Sequence, residues 1–155
     1  MAEKLHEDLI QLITDALAAR FSVQLVEVDA DFVEIHRSFI QIQSNLTELE
    51  RLLSRALRAK AKLDRQVSVF EMNYQEKWDK AVSEPSKKVS FTEYATGKEK
   101  AAAANLATLD SAREVRKLKD TQALASEAVD VIRLHYYGLD KVRQDLRKRL
   151  DMMQS

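Results

Sequence analysis

Counted from Leu25, apolar side chains recur at every seventh position in two interleaved series. One runs Leu25, Phe32, Phe39, Leu46, Leu53, Lys60 and Val67; the other runs Val28, Ile35, Ile42, Leu49, Ala56, Leu63 and Phe70. Thirteen of these fourteen positions are apolar, Lys60 being the exception. A seven-residue repeat kept up this long is the seam of a coiled-coil helix. It predicts a helix over about 24–82, with a seam on the order of 70 Å long. Propensity alone cannot hold such a helix, so its stripe needs a partner.

The other end of the chain supplies one. Leu118, Ala125, Ile132, Leu139, Leu146 and Met153 again recur every seven residues. Ala128, Val129, Tyr136, Val142 and Leu150 widen that stripe, and a second long helix is expected over about 98–153. Gly138 falls inside this series and reads as a kink or a close packing point rather than a terminus. Between the two helices, SEPSKKVSFTEYATG holds Pro85 and Gly97 and reads as the loop 83–97, with Thr96 or Gly97 capping the second long helix. Upstream, Leu5, Leu9, Leu12, Ile13, Ala16 and Leu17 mark a first amphipathic helix over about 4–20.

Composition agrees with helices throughout. With two Gly and one Pro in 155 residues, the chain lacks the turn residues that β-rich folds require. Ser22–Val28 (SVQLVEV) alternates like a short strand, but no second convincing strand exists to pair with it, and the helical reading is the more coherent. The expectation is an all-α fold, one domain over 1–155: a long antiparallel helical hairpin with a short N-terminal helix. Each stripe is wide enough to meet more than one neighbour, which favours a homo-oligomer.

Chemistry-bearing patterns are scarce. There is no Cys, so neither a disulfide nor a thiolate metal site can form. His6, His36 and His135 stand far apart and form no metal-ligand spacing, and His135 near the second stripe reads as a structural histidine. Glu27, Asp29, Asp31 and Glu34 have the spacing of a calcium loop but lack its central Gly and final Glu, and read as a solvated face or a subunit contact. No phosphate-cradling loop or nucleophile elbow occurs. We therefore expect no catalytic residue, no metal and no cofactor: the chain reads as a non-enzyme. MAEKLHEDLI has no apolar run of signal-peptide type, and no membrane-length apolar segment occurs downstream, so a soluble, cytoplasmic protein without a membrane role is expected.

Charge is the informative feature. The chain is neutral overall, yet residues 1–50 carry a net charge of −7, residues 51–88 +5 and the remainder +2. Within RLLSRALRAKAKLDR (51–65), Arg51, Arg55, Arg58, Lys62 and Arg65 are spaced 4, 3, 4 and 3, one outer row away from the seam, with Lys60 nearer to it. Such a row, about 21 Å long, can meet successive phosphates of one nucleic-acid strand. It can equally face an acidic partner or subunit, or simply be solvated. Downstream, Tyr74 and Trp78 are candidates for base stacking, or else for packing. Arg113, Arg116, Lys117 and Lys119 could extend the basic surface. Because the apolar stripe is a buried seam, membrane insertion is not expected.

Lys60–Asp64 reads KAKLD, within ALRAKAKLD. This resembles the Lys-Ala-Arg-Leu-Asp element of UvsY-like phage recombination mediators, whose basic pair is associated with single-stranded DNA binding. The layout is similar as well: a helix with the basic element, a stretch with Phe91, Glu93 and Tyr94, then a long C-terminal helix. The likeness covers roughly residues 46–150. The family element continues into a Tyr-Tyr-Ser-Gly type segment, whereas Arg65, Gln66 and Val67 stand here, so Lys60 and Lys62 alone carry over. The resemblance implies a DNA recombination mediator in the host cytoplasm of a phage. It would form a ring-like homo-oligomer through its C-terminal helix. Its partners would be single-stranded DNA, a recombinase and a single-stranded-DNA-binding protein. A structural coiled-coil adaptor or scaffold component, acting through protein contacts alone, is the alternative.

Overall fold

Asp31 decides where the long helix begins. Its Oδ1 accepts a hydrogen bond from the Glu34 N–H at 2.8 Å, and its carbonyl accepts one from the Ile35 N–H at 3.1 Å. That is an N-cap with a glutamate at the third helical position. Ala30 and Ile35, at the two positions of a hydrophobic staple, are both buried. Just upstream, the Ala30 N–H closes a turn onto the Glu27 carbonyl at 3.2 Å.

The computed structural model describes residues 2–83 and 97–155. In it α1 spans Ala2–Phe21, α2 Phe32–Ser83, α3 Gly97–Ala107 and α4 Leu109–Gln154. Among the described residues no strand forms, so the fold is all-α, and SVQLVEV is neither strand nor helix. The expected helix start near residue 24 is thereby corrected to Phe32. Leu25 and Val28, the first members of the two heptad series, lie in the α1–α2 connection and are 88% and 97% exposed. Periodicity overran the helix because it carries no information about caps. The loop expected over 83–97, with Pro85, Phe91, Glu93 and Tyr94, lies almost wholly outside the described residues.

The helix expected over 98–153 is two, separated by the single residue Thr108. Thr108 is buried, and its Oγ1 donates to the Ala104 carbonyl at 2.7 Å, which its own N–H also reaches at 3.0 Å. A hydroxyl that bonds back to the preceding turn competes for the backbone and loosens regular helix there.

Contacts group the described residues into two compact units. The first comprises Glu3–Lys60 and Ala123–Ser155. Its core joins Leu9, Leu12 and Ala16 of α1, Ile35, Ile42 and Leu49 of α2, and Val129, Ile132 and Leu139 of α4, all buried. Fully burying each of the larger side chains contributes roughly 1.5–3 kcal/mol. Asn45 is buried too. Its Nδ2 donates to the Ala19 carbonyl at 2.8 Å and to Ser22 Oγ at 3.0 Å, and its Oδ1 accepts from Gln41 Nε2 at 2.9 Å. One side chain of α2 thus satisfies a carbonyl that the end of α1 leaves free. Arg149 does the same for the α1–α2 connection, donating to the Glu27 and Val28 carbonyls at 2.7 and 3.1 Å. Gly138 stands within an unbroken α4 rather than at a terminus, and a Cβ there would meet the Arg20 guanidinium at 3.4 Å, an ordinary contact with a flexible side chain.

The second unit comprises Ala61–Gln122. Leu63, Val67, Ala104, Val115 and Thr121 are buried in it. Gln122 Nε2 donates to Asp64 Oδ1 at 2.7 Å, Lys119 pairs with Glu71 at 2.5 Å, and Lys77 donates to Ser111 Oγ at 3.1 Å. Residue numbers rise on α2 as they fall on α4, so these two helices run antiparallel, as a hairpin requires.

Candidate nucleic-acid interface

The two heptad series are not equivalent on α2. In the series containing Ile35, Ile42, Leu49, Ala56 and Leu63, every one of these side chains is fully buried. In the other, Leu46 and Val67 are buried, Phe39, Leu53 and Lys60 are half-buried and Phe32 is exposed. Leu52, outside both series, is fully buried. The core line therefore follows one series rather than the midline between the two. Phe70, a seam position, ends up 37% exposed.

Around α2, at 100° per residue, Arg51, Arg55, Arg58, Lys62 and Arg65 occupy an arc of about 80°. The middle of that arc lies about 140° from the buried line. All five are exposed. Lys60 is half-buried and sits about 40° from the buried line, so it does not join the row. A lysine at a core edge covers apolar surface with its stem, which is how the seam tolerates it.

The row is not uniformly open. Arg51 Nε donates to Glu48 Oε2 at 2.9 Å and its Nη2 to Glu48 Oε1 at 2.6 Å, a two-pronged grip. The hydrogen bond from Arg51 holds the Glu48 carboxyl below its ordinary range, helped by the charges of Arg51 and Arg55. The same bond pushes the Arg51 guanidinium above its ordinary value, and the charge of Asp15 adds to this. Other ion pairs among the described residues are Lys119–Glu71 and Arg143–Asp140. Arg55, Arg58, Lys60, Lys62 and Arg65 accordingly have no carboxylate at ion-pairing distance among the described residues. Arg65 Nε reaches only the Ala61 carbonyl of its own helix, at 3.4 Å. Asp64, the one acid of residues 51–65, is engaged by Gln122.

Tyr74 and Trp78 lie on the buried side of α2 and are half-buried. Trp78 Nε1 donates to Asn105 Oδ1 at 3.4 Å, so the indole packs toward α3. They are not brought beside the row. Arg113, Arg116 and Lys117 are exposed on α4, whereas Lys119 is taken by Glu71. Glu48 was legible as a partner, since it stands three residues before Arg51, within reach on one helix face. Asn45 gave no comparable signal, because what it bonds lies on another helix.

Elsewhere the side chains serve packing. His135 meets the Phe21 ring edge-on at 5.8 Å, and burial, aided by the charge of Arg20, holds its imidazole below the usual 6.5. His36 stacks on Phe32 at 5.8 Å. Tyr136 Oη donates to Glu50 Oε1 at 3.0 Å, which raises the phenol above its ordinary value. A groove of about 640 Å³ separates Ser22–Glu27 from Glu34, Arg37, Ser38 and Gln41 of α2. Among the described residues, no group of three or more His or carboxylate side chains is placed to hold a metal ion, and no helix is long and apolar enough to cross a membrane. Compared with protein-family models, curated proteins and solved structures, the chain matches none.

Proposed function

We propose that the chain binds single-stranded nucleic acid through the exposed basic row of α2. Arg55, Arg58, Lys62 and Arg65 would hold successive phosphates. The observation that carries this reading is their common arc, exposed and without carboxylate partners among the described residues. Solvated helix faces ordinarily mix signs at i, i+4. Single-strand binding needs a charged track more than a shaped pocket, which suits a helix surface. Taken with the resemblance of KAKLD, the reading is a non-enzymatic recombination mediator, self-assembling, that loads or stabilises a recombinase filament on single-stranded DNA. It requires no cofactor.

The test is a fluorescent-oligonucleotide titration across salt concentrations. Replacing Arg55, Arg58 and Lys62 together by Ala removes three phosphate contacts and flattens the log–log salt slope by about 2. Lys62→Ala alone weakens binding more than Lys60→Ala. Unchanged affinity in the triple variant, with helicity retained, refutes the proposal.

A second reading, an adaptor built by subunit contacts, draws on a different observation. Phe21, Leu25 and Val28 are exposed beside the acidic Glu27, Asp29 and Glu34. That patch complements the basic row of another copy. Oligomers that dissociate with salt in light scattering, in a protein with no oligonucleotide affinity, favour this second reading.

A further inference from the structure

The Glu48 carboxylate makes with Arg51 the contact that a phosphate would make. Both of its oxygens are engaged by two nitrogens of one guanidinium, at 2.6 and 2.9 Å. Bidentate hydrogen bonding of this kind is how arginine recognises carboxylate and phosphate alike. Glu48 is on α2 itself, three residues from Arg51, so helical geometry delivers it without any change elsewhere in the fold. The pair is substantially exposed, with the Arg51 side chain at 56% and that of Glu48 at 43% of full accessibility. An incoming anion can therefore reach Arg51 and exchange with the carboxylate. The other members of the row have no such competitor among the described residues.

We infer that Glu48 is a built-in competitor for phosphate at Arg51: it withholds the first cation of the row and so sets the number of phosphates the row engages. This rests on the proposed binding of single strands by α2 and specifies how that surface is limited. The row is one contact shorter than its sequence, and Arg51 joins only when the ligand outcompetes Glu48. Because an exposed ion pair is weak, the competition is even enough to be tipped by one substitution.

Removing the carboxylate tests it. Glu48→Ala places a good helix former at an outer position, so helicity is expected to be kept. Titrated with a labelled oligothymidylate, the variant binds several-fold more tightly at low salt, and its log–log salt slope steepens by about 0.7, the value of one further single-strand contact. Glu76→Ala, which removes an equal charge from an exposed position of the same helix, controls for net charge. Adding Arg51→Ala to Glu48→Ala abolishes the gain. An equal gain in Glu76→Ala, or a gain that survives loss of Arg51, overturns the inference. So does a slope in Glu48→Ala that matches the unaltered protein. In those outcomes the unaltered protein still binds, and the proposed function stands. No binding by the unaltered protein or by Glu48→Ala removes both.

Discussion

Asn45 shows how much one polar side chain fixes when it is buried with every group engaged. It holds the Ala19 carbonyl and the Ser22 hydroxyl, while Gln41 engages its own oxygen. Truncation leaves the Ala19 carbonyl, in a part-buried site, with only the longer 3.4 Å bond from Ser22 Oγ, the costly side of the hydrogen-bond asymmetry. Asn45→Ala is expected to destabilise the protein by about 1–3 kcal/mol, read as a lower denaturant midpoint. Gln41→Ala, which removes the partner at a more exposed position, costs less. Equal costs would show that the contact to α1 is not what matters. At the same scale Glu48 and Lys60 carry the opposite lesson. By sequence each is a member or neighbour of one basic stretch, and each is defined by geometry: Glu48 by its grip on Arg51, Lys60 by its angle from the buried line.

Among the elements, α2 depends on its start and its buried face for different things. The face comes from the series through Ile35 and Leu63, while the start comes from Asp31. Asp31→Ala removes the acceptor for the Glu34 N–H and is expected to cost about 1 kcal/mol, with Asp31→Ser restoring most of it. Far-UV circular dichroism during urea unfolding reads both. A loss that Ser fails to restore would assign the cost to charge rather than to the cap. The acidic cluster around Asp31 is thus partly structural: one of its four carboxylates closes a helix end.

For the whole molecule, four described groups have shifted proton affinities, Glu48, Arg51, His135 and Tyr136, and all but Arg51 bear on stability in an accessible pH range. His135 is held below 6.5 by burial and Arg20, so acid favours the unfolded chain. Its contribution is complete above about 6.5 and is lost as pH falls through the lower folded value. Glu48, also depressed, loses its contribution further down, below the ordinary carboxylate range. Tyr136 is raised by its bond to Glu50, so its contribution holds below about 10 and is lost as pH rises beyond. Stability should therefore be flat from near neutrality to mildly alkaline pH. His135→Gln should reduce the fall in urea midpoint between about pH 7 and pH 5.5. An identical fall in that variant would show that His135 is not its source.

Taken alone, the sequence was enough to determine the all-helical class, the two long apolar stripes and the basic row, because each arises from local spacing. Heptads place the side chains of Ile35 through Leu63 on one face, and spacings of 3 and 4 align Arg51 through Arg65 on another. Tertiary structure decided what spacing leaves open. It chose one of the two series as the core line, left Lys60 half-buried at the edge of that line and left Leu25 and Val28 outside the helix whose heptads they open. It turned Tyr74 and Trp78 toward the packed side and brought Asn45 to the end of α1. The physical reason is the same in each case. Periodicity reports which residues share a face, but burial and hydrogen bonding depend on what another element presents to that face.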